Sequence, residues 1–424
     1  MPIRWLLVFW LFAISAISYL DRVNISIAGS FIQREFHISD LQLGPVFSAF
    51  LVGYALFQAP AGRLADRFGP RLILMLGTLW WGIFTALTAM VSAGMAGLLF
   101  LLLAVRFSLG AGEAVLFPAS NRLVANWIPS RERGLANGII FAGVGVGAGI
   151  TPPLVGYIVL HYGWRASFWI SAAIGIAAGA AWYWLARNRP EDHPWVTSQE
   201  TALIEQGLPE PPSELEIGKP LPWRTIFGSK DVLAIAFSYF TYGYAAWIFF
   251  AWFFIYLSRV RGLDLKSSFY YSMLPFIAMA VGSTVGGRIS DILTRRYGNR
   301  IGRCGIAVAG IALGAIFIAS GTQVESARLA SVVLAGGAGA LYLSQSSFWS
   351  VTADMGGRSA GSVSGVMNMG GQIGGIVTAS LTPLIAHQFN WTISFLVAAA
   401  LCAAGSLAWL VVDPDVELGR PPAP

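Results

Sequence analysis

The chain has 424 residues, of which 56% are hydrophobic and only 11% are charged. Soluble domains carry about 25% charged residues, so this composition excludes an ordinary soluble protein and indicates a membrane protein. A formal net charge of +6 would suit nucleic-acid binding in a soluble protein. Because apolar segments make up most of this chain, we expect a lipid bilayer and a small molecule as its partners, and no nucleic acid.

Twelve apolar stretches follow one another, each long enough for the roughly 20 residues that a membrane crossing requires. They lie at about 4–29, 42–64, 72–93, 97–120, 134–158, 165–186, 231–257, 268–290, 303–321, 328–350, 361–387 and 391–412. The first stretch has no convincing cleavage site, which favours a spanning helix over a signal peptide. The sequence therefore predicts an all-α polytopic membrane protein with twelve transmembrane helices.

One long polar segment, residues 187–230, separates the sixth helix from the seventh. It holds seven of the 21 prolines and seven of the 21 acidic residues, a composition typical of a linker. The predicted organisation is a six-helix bundle at 1–186, a cytoplasmic linker at 187–230 and a second six-helix bundle at 231–424.

Positive charge is distributed unequally between the two ends of the predicted helices. If the N-terminus lies inside the cell, 19 of the 27 Lys and Arg residues fall on the inner side and six on the outer side. This asymmetry follows the positive-inside rule. It predicts a multi-pass plasma-membrane protein with both termini in the cytoplasm, in the inner membrane if the protein is bacterial.

The two halves of the chain repeat each other. Gly62–Asp66 recurs as Gly287–Asp291 at a displacement of 225 residues, and Gly163–Phe168 recurs as Asn390–Phe395 at 227. Parallel repeats related by an axis along the membrane normal are an architecture of secondary transporters. Two pseudo-symmetric bundles can form a complete path in one chain, which favours a functional monomer.

Four charged residues lie inside predicted helices: Asp21, Arg22, Arg106 and Glu113. Each costs about 2.5–3.5 kcal/mol at a helix centre on insertion scales, so they must face one another or a polar cavity. A buried carboxylate can carry a proton, and arginine offers a planar fork that matches a carboxylate ligand. The set indicates coupled movement of protons and an organic anion, with helix-locking ion pairs as the alternative.

A different signal marks the end of the second helix. Asp66 lies at the carbonyl end of that helix, where the helix dipole disfavours an acid. It therefore needs a partner, either a neighbouring arginine or the N-terminus of another helix, and we expect a conformational latch here. The latch residues are Gly62, Asp66, Arg67, Arg71 and, by pseudo-symmetry, Asp291.

Several of these motifs resemble a known family. Gly62–Arg71 resembles the loop signature of the major facilitator superfamily between its second and third helices. The segments that resemble its anion:cation symporter branch are Tyr19–Asn24, Tyr54, Arg106 with Phe107 and Glu113, Phe117–Arg122, Glu132–Gly134 and Gly365–Asn368. That branch includes bacterial galactonate, glucarate and hexuronate transporters and is related to sialin and vesicular glutamate transporters.

The resemblance implies the superfamily fold and a set of roles. Asp21 and Glu113 would be the proton-coupling acids, and Arg22 and Arg106 would serve anion recognition or control of Glu113. The residues implied to line a sugar-acid pocket are Tyr54, Gln345, Ser347, Asn368 and Gln372. The family's architecture also places the start of the eleventh helix, near 359–361, beside Asp66. Val144 stands where galactonate transporters present a glutamine, a departure that bears on the substrate.

The resulting hypothesis is a proton-coupled symporter of a small organic anion, with a sugar acid such as a hexuronate or aldonate as the leading candidate, working by alternating access. An exchanger or exporter of another carboxylate is the alternative. We do not expect an enzyme, because no nucleophile–base or metal constellation is apparent, and an internal repeat suits a transporter better than a channel. Protons would be the coupling ion, and no cofactor or metal is expected.

Overall fold

The computed structural model describes residues 2–38, 40–207 and 220–419, and helices account for most of them. The first half contains α1 (Ile3–Phe36), α2 (Asp40–Phe68), α3 (Pro70–Met90), α4 (Leu98–Glu113), α5 (Leu116–Trp127), α6 (Arg133–Tyr162) and α7 (Trp164–Leu185). The segment between the halves carries α8 (Ser198–Gly207) and α9 (Trp223–Gly228). The second half contains α10 (Lys230–Ala251), α11 (Phe253–Ile255), α12 (Leu265–Tyr297), α13 (Ile306–Gln323), α14 (Ala327–Gly356), α15 (Ala360–Gln388) and α16 (Trp391–Ala408).

The number of membrane crossings agrees with the sequence. Eleven segments of the described chain are long and apolar enough to span a bilayer, and one of them, Ala327–Gln388, is 62 residues long. That segment contains both α14 and α15, joined by a 3₁₀ turn at Gly357–Ser359. Counting these two helices separately gives twelve, so the predicted all-α, twelve-helix fold is confirmed.

The fourth predicted helix differs from its expected form, because it is interrupted after Glu113 and then continues to Trp127 as α5. Proline has no amide hydrogen and cannot donate to the carbonyl four residues earlier. Pro118 therefore leaves the Ala114 carbonyl without its helical partner. The break falls directly after Glu113, one of the four charged residues in the membrane.

The halves meet along two equivalent seams, α2 against α15 and α6 against α12. The largest apolar cluster crosses between the halves, whereas a second cluster around Ile25, Val46 and Phe168 contains first-half residues alone. We call the side where α1 begins and α16 ends the terminal side. The contacts between the halves show that the terminal side is closed in this structure.

Glycines permit the close approach of backbones at both seams. A β-carbon on Gly62 would overlap the carbonyl oxygen of Gly361, and one on Gly287 would overlap that of Gly134. Lipid provides no hydrophobic drive for helix association, so close packing of small residues takes its place. The repeated glycines Gly62 and Gly287 are therefore points at which the two halves touch.

The segment between the halves is tied to the terminal side. The Glu200 carboxylate of α8 accepts hydrogen bonds from the backbone amides of Ile3 and Arg4, at 3.1 and 3.0 Å. Further along, the Leu221 amide donates to the Ser359 hydroxyl at 2.8 Å, and the Leu221 carbonyl accepts from Arg63. Leu221 therefore bridges α2 and the start of α15.

Gly62→Ala should open the terminal side, because the added methyl overlaps backbone and overpacking costs about 1–3 kcal/mol. We expect an increase of about tenfold in alkylation of a Ser364→Cys reporter on α15, in a background without the two native cysteines. Gly149→Ala is the matched control, since its β-carbon would meet no atom within 4 Å. Equal labelling of the two glycine variants would contradict this account of the seam.

Candidate functional site

A small cavity of about 40 Å³ lies between the halves near their centre. Its described wall contains nine aromatic residues, three amides and no charged residue: Tyr19, Tyr54, Phe117, Phe141, Val144, Tyr239, Tyr242, Gly243, Ala246, Trp247, Phe250, Tyr342, Gln345, Asn368, Gly371 and Gln372. Typical ligand sites measure about 300–1,000 Å³, so binding here requires the walls to separate. A larger open groove of about 740 Å³ lies on the outer face between α2 and α4, and the residues described around it are uncharged.

Arg22 and Glu113 form an ion pair directly behind the cavity wall. Arg22 Nε lies 2.7 Å from Glu113 Oε1, and the Ser18 hydroxyl donates to the same oxygen. The Arg22 guanidinium stacks on Tyr54, 4.1 Å from the ring centroid, and Tyr54 forms part of the wall. Arg22 also lies over the Tyr19 ring of the wall, 4.7 Å from its centroid, so two aromatic rings separate this buried pair from the cavity.

Asp21 and Arg106 are buried without such a pair. Neither carboxylate oxygen of Asp21, and neither Nε nor Nη1 of Arg106, has a hydrogen-bond partner among the residues that the structure describes. Arg106 lies over the Phe50 ring, 5.0 Å from its centroid. Asp21 and Arg22 are adjacent on α1, so their side chains diverge by about 100° and reach different surroundings.

Amide side chains from both halves meet at the other end of the cavity. Asn368 Nδ2 donates to Gln58 Oε1 at 2.8 Å, and Gln372 Nε2 donates to Asn368 Oδ1 at 3.4 Å. Gln345 Nε2 donates to the Tyr239 hydroxyl at 2.9 Å. These bonds leave Gln345 Oε1 and Gln372 Oε1 as buried acceptors that lack a partner within the described chain.

Not every residue expected in the pocket reaches it. Tyr54, Gln345, Asn368 and Gln372 lie in the cavity wall, but Ser347 is buried outside it. Two residues along a helix rotate the side chain by about 200°, so α14 cannot present Gln345 and Ser347 to the same cavity. In this structure Ser347 therefore does not reach the cavity.

Asp66 contacts the second half at the terminal side. Its carboxylate accepts hydrogen bonds from the amides of Gly361 and Ser362, at 2.9 and 2.7 Å, and from the Ser362 hydroxyl at 2.5 Å. The start of a helix presents free N–H groups that attract an anion. Arg122 Nε lies 3.8 Å from the same carboxylate.

Asp291 makes the equivalent contact at the other seam. It accepts hydrogen bonds from the amides of Gly134 and Leu135, at 2.9 and 2.7 Å, and from Arg303 Nη1 at 2.7 Å. Two acids at the ends of α2 and α12 therefore meet the starts of α15 and α6 in pseudo-symmetric pairs.

Two latch residues have other partners. Arg67 is exposed and lies over the Phe68 ring, while Arg71 donates to the Tyr183 carbonyl at 2.9 Å. Their placement at the end of α2 and the start of α3 points them along the outer surface and toward α7. Neither forms an ion pair with Asp66 in the part of the chain described here, so the neighbouring-arginine option is corrected.

Sequence reasoning gave no role to three arginines that the structure places between the halves. Arg122 donates to the Gly357 carbonyl at 2.6 Å, Arg133 pairs with Asp354, and Arg303 donates to the Ser130 carbonyl at 2.5 Å. Arg122 and Arg133 lie within segments that carried the family resemblance, and that was the available signal. Gln58 was also missed, although a glutamine in an apolar helix is itself an unusual residue.

Two tyrosines near the cavity should respond differently to loss of their hydroxyl. The Tyr239 hydroxyl accepts from Gln345 and from Trp349 Nε1, whereas the Tyr54 hydroxyl makes no regular hydrogen bond to the described residues. Tyr239→Phe should cost about 1–3 kcal/mol by leaving two buried donors unsatisfied, and Tyr54→Phe should cost much less. Thermal unfolding in detergent measures both, and a Tyr54→Phe loss equal to that of Tyr239→Phe would contradict the assignment.

Comparison with known proteins agrees with this architecture. Residues 11–379 match the Major Facilitator Superfamily. A probable sulfoacetate transporter of Cupriavidus necator is 36% identical over 407 residues, covering 96% of this chain and 93% of that protein. The hexuronate transporter of Bacillus subtilis is 30% identical over 406 residues, covering 95% and 92%.

A probable L-galactonate transporter of Escherichia coli is also 30% identical, over 94% of this chain and 87% of that protein. Among solved structures, the proton:xylose symporter XylE superposes with a TM-score of 0.73 over 96% of each chain, at 13% identity, which shows the shared fold. The chain is therefore a membrane-spanning member of the Major Facilitator Superfamily, within its anion:cation symporter branch.

Proposed function

We propose that this protein is a proton-coupled symporter that imports a hydroxylated organic acid, such as a hexuronate or aldonate, as a monomer in the plasma membrane. The observation that carries the proposal is that the two halves place different kinds of polar group around the cavity. The buried side chains of Asp21, Arg22, Arg106 and Glu113 lie in the first half, and two amide oxygens without partners among the described residues lie in the second. A ligand with a carboxylate at one end and hydroxyl groups at the other complements both.

The first half supplies the groups for an anion. Arg22 Nη2 and two Arg106 nitrogens are buried donors with no partner in the described chain. A buried charge without full compensation is costly, so a ligand carboxylate that reaches these donors gains more than it would in water. Movement of the Tyr19 and Tyr54 rings would give the ligand access to Arg22, which packs against both.

The second half supplies hydrogen-bond acceptors, which favour a ligand that carries hydrogen-bond donors. Gln345 Oε1 and Gln372 Oε1 can accept hydrogen bonds from hydroxyl groups but would repel the oxygen atoms of a second anionic group. Sugar acids offer such hydroxyls, and the hexuronate and galactonate transporters among the relatives are named for substrates of this kind. A second candidate, a compact sulfo-carboxylate, is supported by the 36% identical relative, and Val144 in the wall offers no hydrogen-bond acceptor from its side chain.

Proton coupling is assigned to Glu113 and Asp21. Glu113 holds Arg22 through one oxygen, while its other oxygen has no partner among the described residues. A proton on Glu113 would weaken its bond to Arg22 and free the guanidinium for the ligand. Binding of the proton and binding of the anion would thereby favour each other, which is the requirement for symport.

Alternating access is assigned to the two acid–helix contacts. Asp66 with the start of α15, and Asp291 with the start of α6, can exist only while the terminal side is closed. The excess of Lys and Arg on that side indicates that it faces the cytoplasm. Each contact would stabilise the outward-facing state by about 1–2 kcal/mol, and both must break for the substrate to be released inside.

The substrate class is tested by counterflow into proteoliposomes with a labelled hexuronate, with and without a pH gradient. We expect exchange of the hexuronate, further accumulation when the outside is acidic, and at least tenfold weaker competition by sulfoacetate. Strong exchange of sulfoacetate with none of the hexuronate would favour the second candidate. Equal accumulation with and without the pH gradient would contradict proton coupling for either substrate.

Glu113→Gln should lose proton-driven accumulation to a greater extent than counterflow. Glutamine keeps the Oε1 acceptor for Ser18 and Arg22 but cannot take up or release a proton. Accumulation that still follows an imposed pH gradient in this variant would assign coupling elsewhere, with Asp21 as the next candidate. Gln323→Glu, at the end of α13 and far from the cavity, is a control for a change of one charge.

A further inference from the structure

An amide bridge joins the two halves beside the central cavity. Gln58 of α2 and Asn368 of α15 are 0% and 2% exposed, and Asn368 Nδ2 donates to Gln58 Oε1 at 2.8 Å. Among the hydrogen bonds that join the halves in the described chain, this is the one that includes a residue of the cavity wall. Asn368 therefore takes part both in the candidate site and in the contact that closes the seam.

The bridge lies between the cavity and the contact of Asp66 with α15. Tyr54, Gln58, Gly62 and Asp66 are spaced by four residues, so they follow one another along one face of α2 at intervals of about 6 Å. Tyr54 belongs to the cavity wall, and Asp66 bonds to the start of α15. A displacement of the wall along this seam therefore reaches the Gln58 bridge before it reaches Asp66.

The backbone contact under the bridge is repeated at the second seam. A β-carbon on Gly365 would overlap the carbonyl oxygen of Gln58, and one on Gly138 would overlap that of Ser283. Gly365 corresponds to Gly138 at the displacement of 227 residues, and Gln58 corresponds to Ser283 at 225. The approach of the backbones at this level is thus a property of the symmetric fold.

The side-chain bridge is not repeated. Asn368 corresponds to Phe141, whose ring stacks on Phe117 with 4.6 Å between the centroids. The Ser283 hydroxyl donates to the Ala280 carbonyl of its own helix at 3.0 Å. Because equivalent backbones pack at the second seam without such a bond, packing of the halves does not account for the amide pair.

Entry of a ligand acts directly on this pair. The cavity measures about 40 Å³, so its walls must separate to admit a ligand. Tyr54 lies in the wall one turn before Gln58, and Asn368 lies in the opposite wall. Separation of the walls therefore draws Asn368 away from Gln58. The released amide needs a new partner, since a buried donor without one is costly, and an oxygen atom of the ligand can supply it.

We propose that Gln58 is a positioning residue that couples ligand binding to opening of the terminal side: the Asn368 amide bonds to Gln58 while the cavity is empty and to the ligand once it is occupied. A ligand shifts a conformational equilibrium only by binding the two states differently. Replacement of the bridge removes a contact that exists in the closed state alone, so it favours opening. The inference rests on the proposed function for the nature of the ligand.

The first measurement is alkylation of the Ser364→Cys reporter without ligand, on the full-length protein in lipid nanodiscs at acidic pH and without the two native cysteines. Gln58→Met keeps the length of the side chain and removes the amide, so labelling should rise about fivefold. Gln58→Asn shortens the bridge by one methylene and should also raise labelling. Adding Asn368→Gln restores the total length and should lower labelling again, a rescue that a packing role of Gln58 does not predict.

The second measurement adds a saturating hexuronate. Labelling of the unaltered protein should rise about fivefold, and that of Gln58→Met less than twofold, because its bridge is already absent. Asn137→Leu is the matched control: Asn137 Nδ2 lies 3.4 Å from the Ser350 hydroxyl oxygen across the halves, and both residues lie outside the described wall. This variant should keep the fivefold response to the hexuronate.

Calorimetry with the hexuronate separates Gln58 from a residue that binds the ligand itself. Gln58→Met should bind at least as tightly as the unaltered protein, because the ligand no longer competes for Asn368, whereas Asn368→Leu should bind about tenfold more weakly. Equal labelling of Gln58→Met and the unaltered protein without ligand, or a full response of Gln58→Met to the hexuronate, would overturn the proposal. An unaltered protein that neither binds nor exchanges the hexuronate would refute the proposed function, and the labelling without ligand would then decide on the bridge alone.

Discussion

The cost of placing charge in hydrocarbon is the constraint on which the rest of this structure depends. Four ionisable side chains lie deep in the first half, and only Arg22 and Glu113 form a close ion pair. The other two keep buried polar atoms without partners in the described chain. An uncompensated buried charge is tolerated only where a proton, a ligand or a conformational change can relieve it, so this arrangement is suited to change and not to static stability.

The two halves are symmetric in their contacts at the seams but not in the residues that they place around the cavity. Both seams use the same device, a glycine that allows close backbone contact and an acid that meets the start of a helix in the other half. The buried charges have no counterpart in the second half, whose contribution to the cavity is aromatic rings and amides. In the alternating-access mechanism that we propose, symmetric contacts would let the two halves move as equivalent bodies, and an asymmetric site would give the ligand a defined orientation between them.

Sequence patterns predicted the features that follow from chain periodicity and from the exclusion of charge from lipid. The twelve helices and the repeat follow from apolar length and from the recurrence of Gly62–Asp66 as Gly287–Asp291. Patterns did not reveal that Asp66 meets Arg122 and not Arg67 or Arg71, because the direction of a side chain depends on the neighbouring helix. Family resemblance likewise carries the identity of a residue but not its rotation about α14, and Ser347 lies outside the wall of this cavity.

The small volume of the cavity connects the closed, symmetric seams with the asymmetric site between the halves. With the terminal side closed, the Tyr19 and Phe250 rings approach to 5.8 Å across the halves, and little volume remains between them. A ligand that separates these walls must offset the lost aromatic contact, and we propose that it does so by bonding to the donors of the first half and the acceptors of the second that lack partners within the described chain. In the mechanism that we propose, a molecule that engages both halves at once would draw them together again, so complementarity to the two unlike walls would link binding to the movement of the halves.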